Sequence, residues 1–366
     1  MPRRVAVIMA GGAGERFWPM SRRQRPKQLL RLTGTRTLLE EAVERIEGLV
    51  GYDSIYIATG VDQAPLVRRT LPLLPPENIW CEPVGRDTAA CLSFALAHLG
   101  RHGADSTMIV LTADHSIRPV ERFHADCEAA FDVAERADVL VTFGVQPTRP
   151  DTGFGYIELA EKEADYDGSL VYRVRRFREK PNADTAHTFV QAGNFLWNSG
   201  MFVWRASVLR QALEEHAPEM AHACAEMSGA LSAPQERELL RRIFERVPKL
   251  SIDYAVMERA HNVRCVRATF KWDDIGAWSS LARLHPTDPD GNTIIGKAVT
   301  VDTSNSIVYI DEGEAGEEAP VVATLGVKDL VIVVTSDAIL VCHREEAQRV
   351  KQLTQHVRNL YGERYV

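Results

Sequence analysis

The chain has 366 residues, 45% of them hydrophobic and 25% charged, which is the composition of an ordinary globular protein with about two domains. Its formal net charge of −7 argues against a nucleic-acid partner, because nucleic-acid-binding domains usually carry a clear basic excess. No apolar run approaches the roughly 18 residues of a membrane span, and the N-terminus does not resemble a secretory leader, so we expect no membrane partner. The six cysteines form no CxxC pair, so we expect free thiols and a cytoplasmic protein.

Residues 4–144 alternate between short apolar runs, which predict buried strands, and stretches with helical spacing of apolar residues. The predicted strands are 5–10, 54–58, 78–81, 108–112 and 139–143, and the predicted helices are 37–50, 61–71, 87–100 and 121–136. This alternation predicts an α/β fold with a Rossmann-like, doubly wound and mainly parallel sheet. Ligands bind beyond the carboxyl ends of the strands in such sheets, so motifs directly after a strand are the stronger candidates for a binding site.

Residues 145–285 are more mixed, and we interpret them as an insertion that completes a cleft. The predicted β segments here are 155–160, 170–178 and 200–204. A polar turn at 197–200, which contains Asn198, is predicted to precede the last of these strands.

The sequence pattern changes after residue 285. After a turn-rich linker at 286–292, short β-branched runs recur roughly every 8–12 residues, up to a final helix at about 344–361. We therefore predict an α/β domain over 1–285 and a small all-β module over 286–366. The acidic, Gly-rich segment at 311–318 is expected to form a mobile surface loop. The module shows no catalytic constellation, so its predicted role is structural, for example in oligomerisation.

A glycine-rich segment with Gly11, Gly12 and Gly14 follows the first predicted strand. Glycines at such a point let backbone N–H groups approach an anion, and Arg16 and Lys27 add positive charge. The first 36 residues carry nine Lys/Arg and one acid, which fits a polyphosphate cradle. The segment lacks the Gly-Lys-Ser/Thr of a P-loop and the third glycine of a dinucleotide fingerprint. A plain glycine-rich turn with a solvated basic face is the alternative.

Two carboxylates also follow apolar stretches, where they would face a ligand crevice. Asp114 comes directly after the strand at 108–112, and Asp274 lies next to Asp273. Two carboxylates together with substrate phosphates suit Mg²⁺, which prefers octahedral oxygen ligands. A helix cap or a turn is the alternative for either residue, and Asp273 stays open as the metal ligand in place of Asp274.

Further polar clusters lie at other predicted strand ends. A loop with Glu82, Arg86, Asp87 and Thr88 precedes a helix and suits recognition of a base edge, although Asp87 or Thr88 could simply cap that helix. Glu179 and Lys180 end a β run and suit sugar hydroxyls and a phosphate, although such neighbours usually form an exposed ion pair. The polar turn with Asn198 suits hydroxyl recognition.

Together these segments resemble the sugar-nucleotidyltransferase family, most closely its bacterial members that make GDP-mannose. The matching stretches lie in family order at 11–21, 26–28, 82–89, 114–115, 153–157, 179–181, 198–200, 251–254 and 272–278. The resemblance implies a nucleotidyltransferase type A fold over about 4–280, and the tail is similar to the family's short left-handed β-helix. The additional cupin domain of bifunctional relatives is not seen, so isomerase activity is not expected.

The resemblance implies an enzyme that joins GTP and α-D-mannose 1-phosphate into GDP-mannose and diphosphate, by Mg²⁺-assisted in-line attack of the sugar phosphate on the α-phosphate. It also implies a homodimer. The implied contacts are Gly11, Gly12, Gly14, Arg16 and Lys27 for the triphosphate, Glu82, Arg86, Asp87 and Thr88 for guanosine, Gly155, Glu179 and Asn198 for mannose, Lys180 for the sugar phosphate, and Asp114 and Asp274 for Mg²⁺. The implied catalytic residues among them are Arg16, Lys27, Asp114 and Asp274.

Two other functions remain possible. One is a nucleotidyltransferase that uses another base or sugar. The other is a catalytically silent subunit that binds nucleotide sugars for regulation. Retention of the four implied catalytic residues disfavours the silent subunit, because such a protein is expected to lose them.

Overall fold

The computed structural model describes residues 3–12, 14–101, 103, 105–311 and 319–366. The chain forms two compact units that are interleaved in sequence. The first comprises Met1–Gly11, Ala42–Ala113 and Ile117–Trp272, and the second comprises Gly12–Glu41, Asp114–Ser116 and Asp273–Val366.

The chain up to residue 273 carries most of the regular structure. Its strands are β1 (Arg3–Met9), β2 (Ile55–Gly60), β3 (Ile79–Glu82), β4 (Ser106–Thr112), β5 (Ser116–Arg118), β6 (Leu140–Val145), β7 (Tyr156–Tyr166), β8 (Ser169–Arg178), β9 (Phe195–Arg205), β10 (Val263–Arg267) and β11 (Lys271–Asp273). The α-helices of the chain are α1 (Leu38–Val50), α2 (Ala64–Thr70), α3 (Asp87–Gly100), α4 (Val120–Arg136), α5 (Ala183–Ala192), α6 (Ala206–His216), α7 (Pro218–Ala230), α8 (Glu236–Arg246), α9 (Leu281–Leu284) and α10 (Val350–Tyr361).

The first unit is built on a nine-stranded sheet with the order β3-β2-β1-β4-β9-β6-β10-β8-β7. The pairs β3–β2, β2–β1, β1–β4 and β6–β10 are parallel, whereas β9 is antiparallel to β4, β6 and β7, and β8 is antiparallel to β10 and β7. Only β8 and β9 therefore run against the remaining strands of this sheet. The predicted Rossmann-like, mainly parallel sheet is confirmed.

Helix α3 shows why this unit has a large core. Its sequence is apolar around the whole circumference, and ten of its fourteen residues are buried. A helix of this kind needs apolar neighbours on all sides. Helix α7 packs against α3. The ring of Phe94 in α3 also meets the ring of Phe244 in α8 edge to face, with 5.5 Å between the ring centres.

The second unit contains the remaining strands. They are β12 (Thr293–Ile295), β13 (Ala298–Val301), β14 (Ile307–Ile310), β15 (Val322–Leu325), β16 (Leu330–Val334) and β17 (Ile339–His343). Parallel ladders join β12 to β14, β14 to β16, and β13 to β15, and β17 closes one edge antiparallel to β16. Short parallel strands stacked in two ladders, with Val308, Ile310, Ile332 and Val334 in their core, form the predicted β-helix-like module.

The compact units do not follow the predicted division at residue 285, because a second apolar core joins early and late parts of the chain. Phe17 and Tyr309 both pack on Trp278, with ring centroids 5.1 and 5.2 Å from its indole. The Trp278 Nε1–H donates to the Trp18 carbonyl oxygen at 3.0 Å. Residues 12–41 therefore belong, by packing, to the unit that contains the tail.

Several predicted elements need correction. Strand β9 begins at Phe195, so Asn198 lies inside a strand and the predicted turn at 197–200 is wrong. The apolar run Phe195 to Trp197 is buried and extends the strand. Strand β10 was not predicted. The expected loop at 311–318 lies, apart from its first residue, outside the described residues.

Two broader expectations concern the whole chain. All six cysteines are free thiols, as predicted, and burial raises the pKa of Cys265 to about 12, so that thiol is a poor nucleophile. Within the part of the chain that the structure describes, no helix combines the length and the apolar character needed to cross a membrane.

Candidate active site

The second unit contains a pocket of about 380 Å³, within the usual size of small-ligand sites. Its lining residues are Gly14, Glu15, Arg16, Phe17, Lys27, Asp114, His115, Asp274, Gly276 and Lys351. Five residues predicted from the sequence therefore come together here: Gly14, Arg16, Lys27, Asp114 and Asp274.

Two strands of the sheet lead into segments that line this pocket. β1 and β4 are adjacent and parallel, with Met9 opposite Thr112. The glycine-rich segment follows β1 and Asp114 follows β4, so both segments start from neighbouring points of the same sheet edge.

Gly14 allows the segment to approach Lys27 closely. Its φ is +63°, a left-handed conformation that favours glycine, and a Cβ atom at this position would lie 2.3 Å from Lys27 Cβ and 3.2 Å from Lys27 Cα. Any side chain here would displace the short helical turn that begins at Lys27. By contrast, Gly11 and Gly12 are exposed, and a Cβ atom on either would meet nothing within 4 Å.

Lys27 is the centre of the pocket's hydrogen bonding. Its side chain is only 10% exposed, and its Nζ donates to Asp114 Oδ2 at 2.7 Å and to the Asp274 carbonyl oxygen at 2.9 Å. The same ammonium lies 5.7 Å from the centre of the Phe17 ring. The lysine thus joins three segments that are distant in sequence.

The two carboxylates of the pocket differ in protonation. Burial by itself would raise the pKa of Asp114, but the Lys27 ammonium and the neighbouring His115 hold that pKa below its usual value. Burial raises the pKa of Asp274 to about 6, with Asp273 and Asp114 adding to the increase and Lys27 opposing it. Asp114 is therefore ionised at neutral pH, whereas Asp274 titrates at a pH just below neutrality.

The structure separates Asp274 from its neighbour. Both Asp273 oxygens accept hydrogen bonds from Arg283, at 2.6 and 3.1 Å, and Oδ1 also accepts from the Ile275 N–H at 2.8 Å. Asp274 lines the pocket, whereas Asp273 does not, and the chain turns after them with a left-handed φ of +46° at Ile275. Asp274 is thus the better candidate metal ligand.

The donor set fits a hard divalent cation. Asp114 and Asp274 line the same pocket, and the charge of Asp114 contributes to the raised pKa of Asp274, an effect that a bound cation would oppose. In the described ranges no group of three or more His, Cys, Asp or Glu side chains could form a closed protein site. Two carboxylates with the other positions left to water and phosphate oxygens are the usual set for Mg²⁺.

The basic N-terminal segment has more than one role, which corrects the prediction that it forms a polyphosphate cradle as a whole. In the first unit, Arg3 bonds to Tyr56, and Arg4 pairs with Glu128 and Glu135. In the second unit, Arg22 pairs with Asp337 at 2.6 Å and Arg25 with Asp311 at 2.6 Å. Of the nine Lys/Arg residues in this segment, Arg16 and Lys27 are the two that line the pocket.

A second predicted cluster lies in the first unit, at the end of β3. Glu82 is 8% exposed, and among the described residues no hydrogen-bond partner reaches its Oε1. Burial raises the pKa of Glu82 to about 7, although a hydrogen bond with Cys91 opposes this. Asp87 has a left-handed φ of +67°, and its Oδ1 accepts from the Thr88 N–H at 2.8 Å.

Arg86 and Thr88 of this cluster are hydrogen-bonded to the backbone. The Arg86 guanidinium donates to the carbonyl oxygens of Phe244 and Glu245, each at 2.8 Å, at the end of α8. Thr88 Oγ1 accepts from the Ile252 N–H at 2.8 Å. Both side chains therefore fix the loop, a role that the sequence did not separate from nucleotide contact.

The third predicted cluster lies in the same unit, where β7, β8 and β9 meet. Tyr156 is opposite both Arg178 and Trp197, which places Gly155, Glu179 and Asn198 on adjacent rungs. The Asn198 N–H donates to the Gly155 carbonyl oxygen at 2.8 Å. A Cβ atom on Gly155 would lie 2.4 Å from Glu179 Oε2, so a larger residue would push that carboxylate away.

Asp253 joins this cluster, although the sequence reasoning gave it no role. Its Oδ1 accepts from Asn198 Nδ2 at 2.9 Å. Burial raises the pKa of Asp253 to about 7, and Glu179 adds to the increase. Lys180 Nζ lies 3.0 Å from Glu179 Oε1, and although burial opposes it, that carboxylate raises the pKa of Lys180. The signal for Asp253 was its place in the family-like stretch 251–254.

Lys351 is the second residue that the sequence did not single out. It lies in the first turn of α10, in the tail that was predicted to be purely structural, yet it lines the same pocket as Lys27. No local motif surrounds it. Only folding of the tail brings it to the glycine-rich segment.

Comparison with known proteins identifies two family models that match this chain. The family model described as nucleotidyl transferase matches residues 5–291, and the model described as MannoseP isomerase/GMP-like beta-helix domain matches residues 296–357. The two models meet close to the predicted boundary at 285, although the compact units divide the chain differently.

Individual relatives match over nearly the whole chain. A mannose-1-phosphate guanylyltransferase of Escherichia coli is 35% identical over 96% of this chain and 75% of its own length. One from Klebsiella pneumoniae is 38% identical over 97% of this chain and 74% of its own length. A crystal structure from Thermus thermophilus, described as a mannose-1-phosphate geranyltransferase, has a TM-score of 0.86 at 34% identity, covering 97% of this chain and 99% of that one.

The sheet order, the pocket with its lysine and carboxylates, and the family model define the class, and the protein is an enzyme of the nucleotidyltransferase type. The identity of 35–38% over almost the whole chain is more specific. The chain belongs to the mannose-1-phosphate guanylyltransferase family.

Proposed function

We propose that this enzyme transfers a guanylyl group from GTP to α-D-mannose 1-phosphate, releasing diphosphate and GDP-mannose. The observation that carries the proposal is the pocket in which Lys27, Asp114 and Asp274 meet beside Gly14, in a chain whose relatives are mannose-1-phosphate guanylyltransferases. The sugar phosphate is already anionic at pH 7 and needs no strong general base. Its oxygen attacks the α-phosphorus of GTP in line, and diphosphate leaves.

Charge in the pocket supports binding of the triphosphate. Arg16 offers a forked guanidinium, and Lys27 a nearly buried ammonium whose position is fixed by Asp114. The exposed backbone of Gly11 and Gly12 leaves room for phosphate oxygens, and Gly14 allows Lys27 to approach the segment closely. Because Lys27 is held in place before the reaction, it stabilises developing charge on the leaving diphosphate with little reorganisation.

Asp114 and Asp274 would hold Mg²⁺, since both line the pocket and Asp273 is bonded to Arg283. A bound Mg²⁺ supplies Lewis-acid neutralisation of phosphate charge. Ionised Asp114 also keeps Lys27 oriented, because the ion pair at 2.7 Å fixes the direction of the ammonium.

The cluster around Asn198 supports recognition of the sugar phosphate. Glu179 presents carboxylate oxygens that accept hydrogen bonds from hydroxyl groups, and Gly155 leaves the space that a side chain would fill. Asn198 is held by Asp253, so its amide has a defined orientation. Lys180 supplies the positive charge for the phosphate.

The loop after β3 supports recognition of guanosine. Glu82 has a buried oxygen without a partner among the described residues. Guanine has N–H groups that can donate a hydrogen bond to such an oxygen. Asp87 adds a second carboxylate in the same loop. We assign Arg86 and Thr88 a positioning role, because their polar atoms bond to the backbone at 2.8 Å.

We propose, further, that the enzyme works in the cytoplasm, as expected from its scattered free cysteines, and as a homodimer, as its family resemblance implies. Light scattering coupled to size-exclusion chromatography measures the mass in solution. A mass near twice the 40.8 kDa of one chain is expected, and a monomer would contradict the proposal.

A substrate matrix tests the reaction. Diphosphate release is measured with Mg²⁺ and each pair of GTP, ATP, UTP or dTTP with mannose, glucose or galactose 1-phosphate. The GTP and mannose 1-phosphate pair is expected to give the largest kcat/KM. A different best pair would indicate another nucleotidyltransferase, and no release with any pair, despite nucleotide binding, would indicate a silent subunit.

A further inference from the structure

Lys351 introduces a side chain of the C-terminal module into the candidate triphosphate pocket. It lies near the start of α10, far beyond residue 291, where the match to the nucleotidyl transferase model ends. It nevertheless lines the pocket together with Gly14, Arg16 and Lys27. All four residues belong to the same compact unit.

Helix α10 is held firmly at this place. It packs against the short turn Glu15–Phe17 of the glycine-rich segment, and Val350, directly before Lys351, is only 1% exposed. The Trp18 Nε1–H donates to the carbonyl oxygen of Tyr365 at 2.6 Å, which anchors the chain beyond α10 to the same segment. The start of the helix therefore has a fixed position beside the pocket.

The chemistry of Lys351 points to an anionic ligand. Within the described ranges, neither Lys351 nor Arg16 forms an ion pair or a side-chain hydrogen bond, whereas Lys27 is bonded to Asp114. A cation in the first turn of a helix also gains nothing from the helix dipole, which favours negative charge there. Contacts among the residues that the structure describes thus do not explain this lysine.

The charge balance of the pocket supports the same conclusion. Its lining contains three Lys/Arg residues, Arg16, Lys27 and Lys351, and three acidic residues, Glu15, Asp114 and Asp274. Without Lys351 the three acidic groups outnumber the Lys and Arg side chains, in a site proposed to receive a highly charged anion. Lys351 therefore supplies a substantial share of the attraction for that anion.

We propose that Lys351 binds the β- and γ-phosphates of the nucleotide, and the diphosphate formed from them, so that the C-terminal module is part of the substrate site. This inference rests on the proposed function for the identity of the nucleotide. It does not depend on that function for the class of ligand, which is a polyphosphate. The ammonium acts as a point charge beside the phosphate oxygens.

The test compares Lys351→Ala and Lys351→Arg with Lys328→Ala, a change to an exposed lysine of the same module that lies outside the pocket. Lys351→Ala should raise the KM for GTP, and the KM for diphosphate in the reverse reaction, about tenfold, as expected for the loss of one charge-assisted contact. The KM for mannose 1-phosphate should stay within about twofold. Lys351→Arg should recover most of the loss, and Lys328→Ala should behave as wild type.

A binding measurement separates this proposal from the proposed function. Isothermal titration with inorganic diphosphate and Mg²⁺ needs no turnover and no correct sugar. A Kd about tenfold weaker in Lys351→Ala supports the role of Lys351 even if the substrate matrix identifies another nucleotide or sugar. Equal Kd values for wild type and Lys351→Ala, with an unchanged unfolding temperature, would overturn it.

Discussion

Lys27 and Asp114 lie 87 positions apart in the sequence and meet in an ion pair of 2.7 Å between Nζ and Oδ2. The lysine follows β1 by way of the glycine-rich segment, and the aspartate follows β4. Because β1 and β4 are parallel neighbours, the segments that carry the two residues start side by side, and both residues line one pocket. This pair links a residue proposed for the triphosphate to one proposed for the metal, and its variants are the first test of both roles.

Lys27→Ala should weaken the use of GTP much more than the use of mannose 1-phosphate. The change removes the nearly buried ammonium and leaves the Asp114 carboxylate unpaired beside the phosphates. We expect a rise of at least about tenfold in the KM for GTP, from initial rates of diphosphate release. Lys249→Ala, at an exposed lysine outside the pocket, is the matched control. A defect confined to mannose 1-phosphate would contradict the triphosphate role.

Asp274→Asn should lower kcat by at least about a hundredfold, the order expected when a metal-held charge site loses a carboxylate. The change keeps the size of the side chain but removes the charge that faces the pocket. Turnover is measured at saturating Mg²⁺, so that weaker metal binding alone does not explain the loss. Near-normal turnover would remove Asp274 from the mechanism.

Asp273→Asn separates the two adjacent carboxylates. Asp273 bonds to Arg283 and to the Ile275 N–H, so its loss should mainly destabilise the turn. We expect a lower unfolding temperature with a much smaller loss of kcat than in Asp274→Asn. The reverse order of the two kcat values would assign the metal to Asp273.

Gly14→Ala should damage both stability and activity. A left-handed φ costs an L-residue roughly 1–2 kcal/mol, and the new Cβ atom would overlap Lys27, so the lysine must move. Chemical unfolding and GTP kinetics measure the two effects. Gly229→Ala is the control, because a Cβ atom in that exposed helical position meets nothing within 4 Å. Equal stability of the two variants would refute the steric argument.

Asp253 should make stability depend on pH near neutrality. Its pKa is about 7 in the folded protein and near 3.8 in the unfolded chain, so folding favours the protonated form. The contribution to stability is complete below about pH 4 and is lost as the pH rises through 7. Asp253→Asn cannot ionise, so its free energy of unfolding should fall less between pH 5 and pH 8 than that of wild type.

Urea unfolding at both pH values tests this, with Asp167→Asn, at an exposed turn, as the control. The control should keep the wild-type pH dependence. An equal fall in wild type and Asp253→Asn would show that the carboxyl group does not titrate in this range.

The order of strands and helices and the class of fold could be predicted from the sequence, because backbone geometry leaves a local period in the chain. Apolar runs predicted β1, β2, β3, β4 and β6 to within a few residues. The glycine-rich segment and the carboxylate after β4 were also visible, since both directly follow a strand. Family membership followed from the order of such stretches.

The partners of individual side chains could not be predicted in the same way. Arg22 and Lys27 belong to one basic segment, yet Arg22 pairs with Asp337, 315 positions away, while Lys27 enters the pocket. Asp273 and Asp274 are adjacent in sequence but have different roles. The polar stretch 197–200 predicts a turn at Asn198, whereas in the structure hydrogen bonds with Asp253 and Thr142 accommodate this polar side chain inside β9.

The sequence by itself thus determined the alternating α/β architecture, the β-rich tail and the family, because these depend on short-range periodicity and on the order of motifs. Only the tertiary structure decided that residues 12–41 pack with the tail, that Asp274 rather than Asp273 lines the pocket, and that Lys351 joins it. The physical reason is that charge pairing and core packing act through space. No local pattern records which distant segments the folded chain will bring into contact.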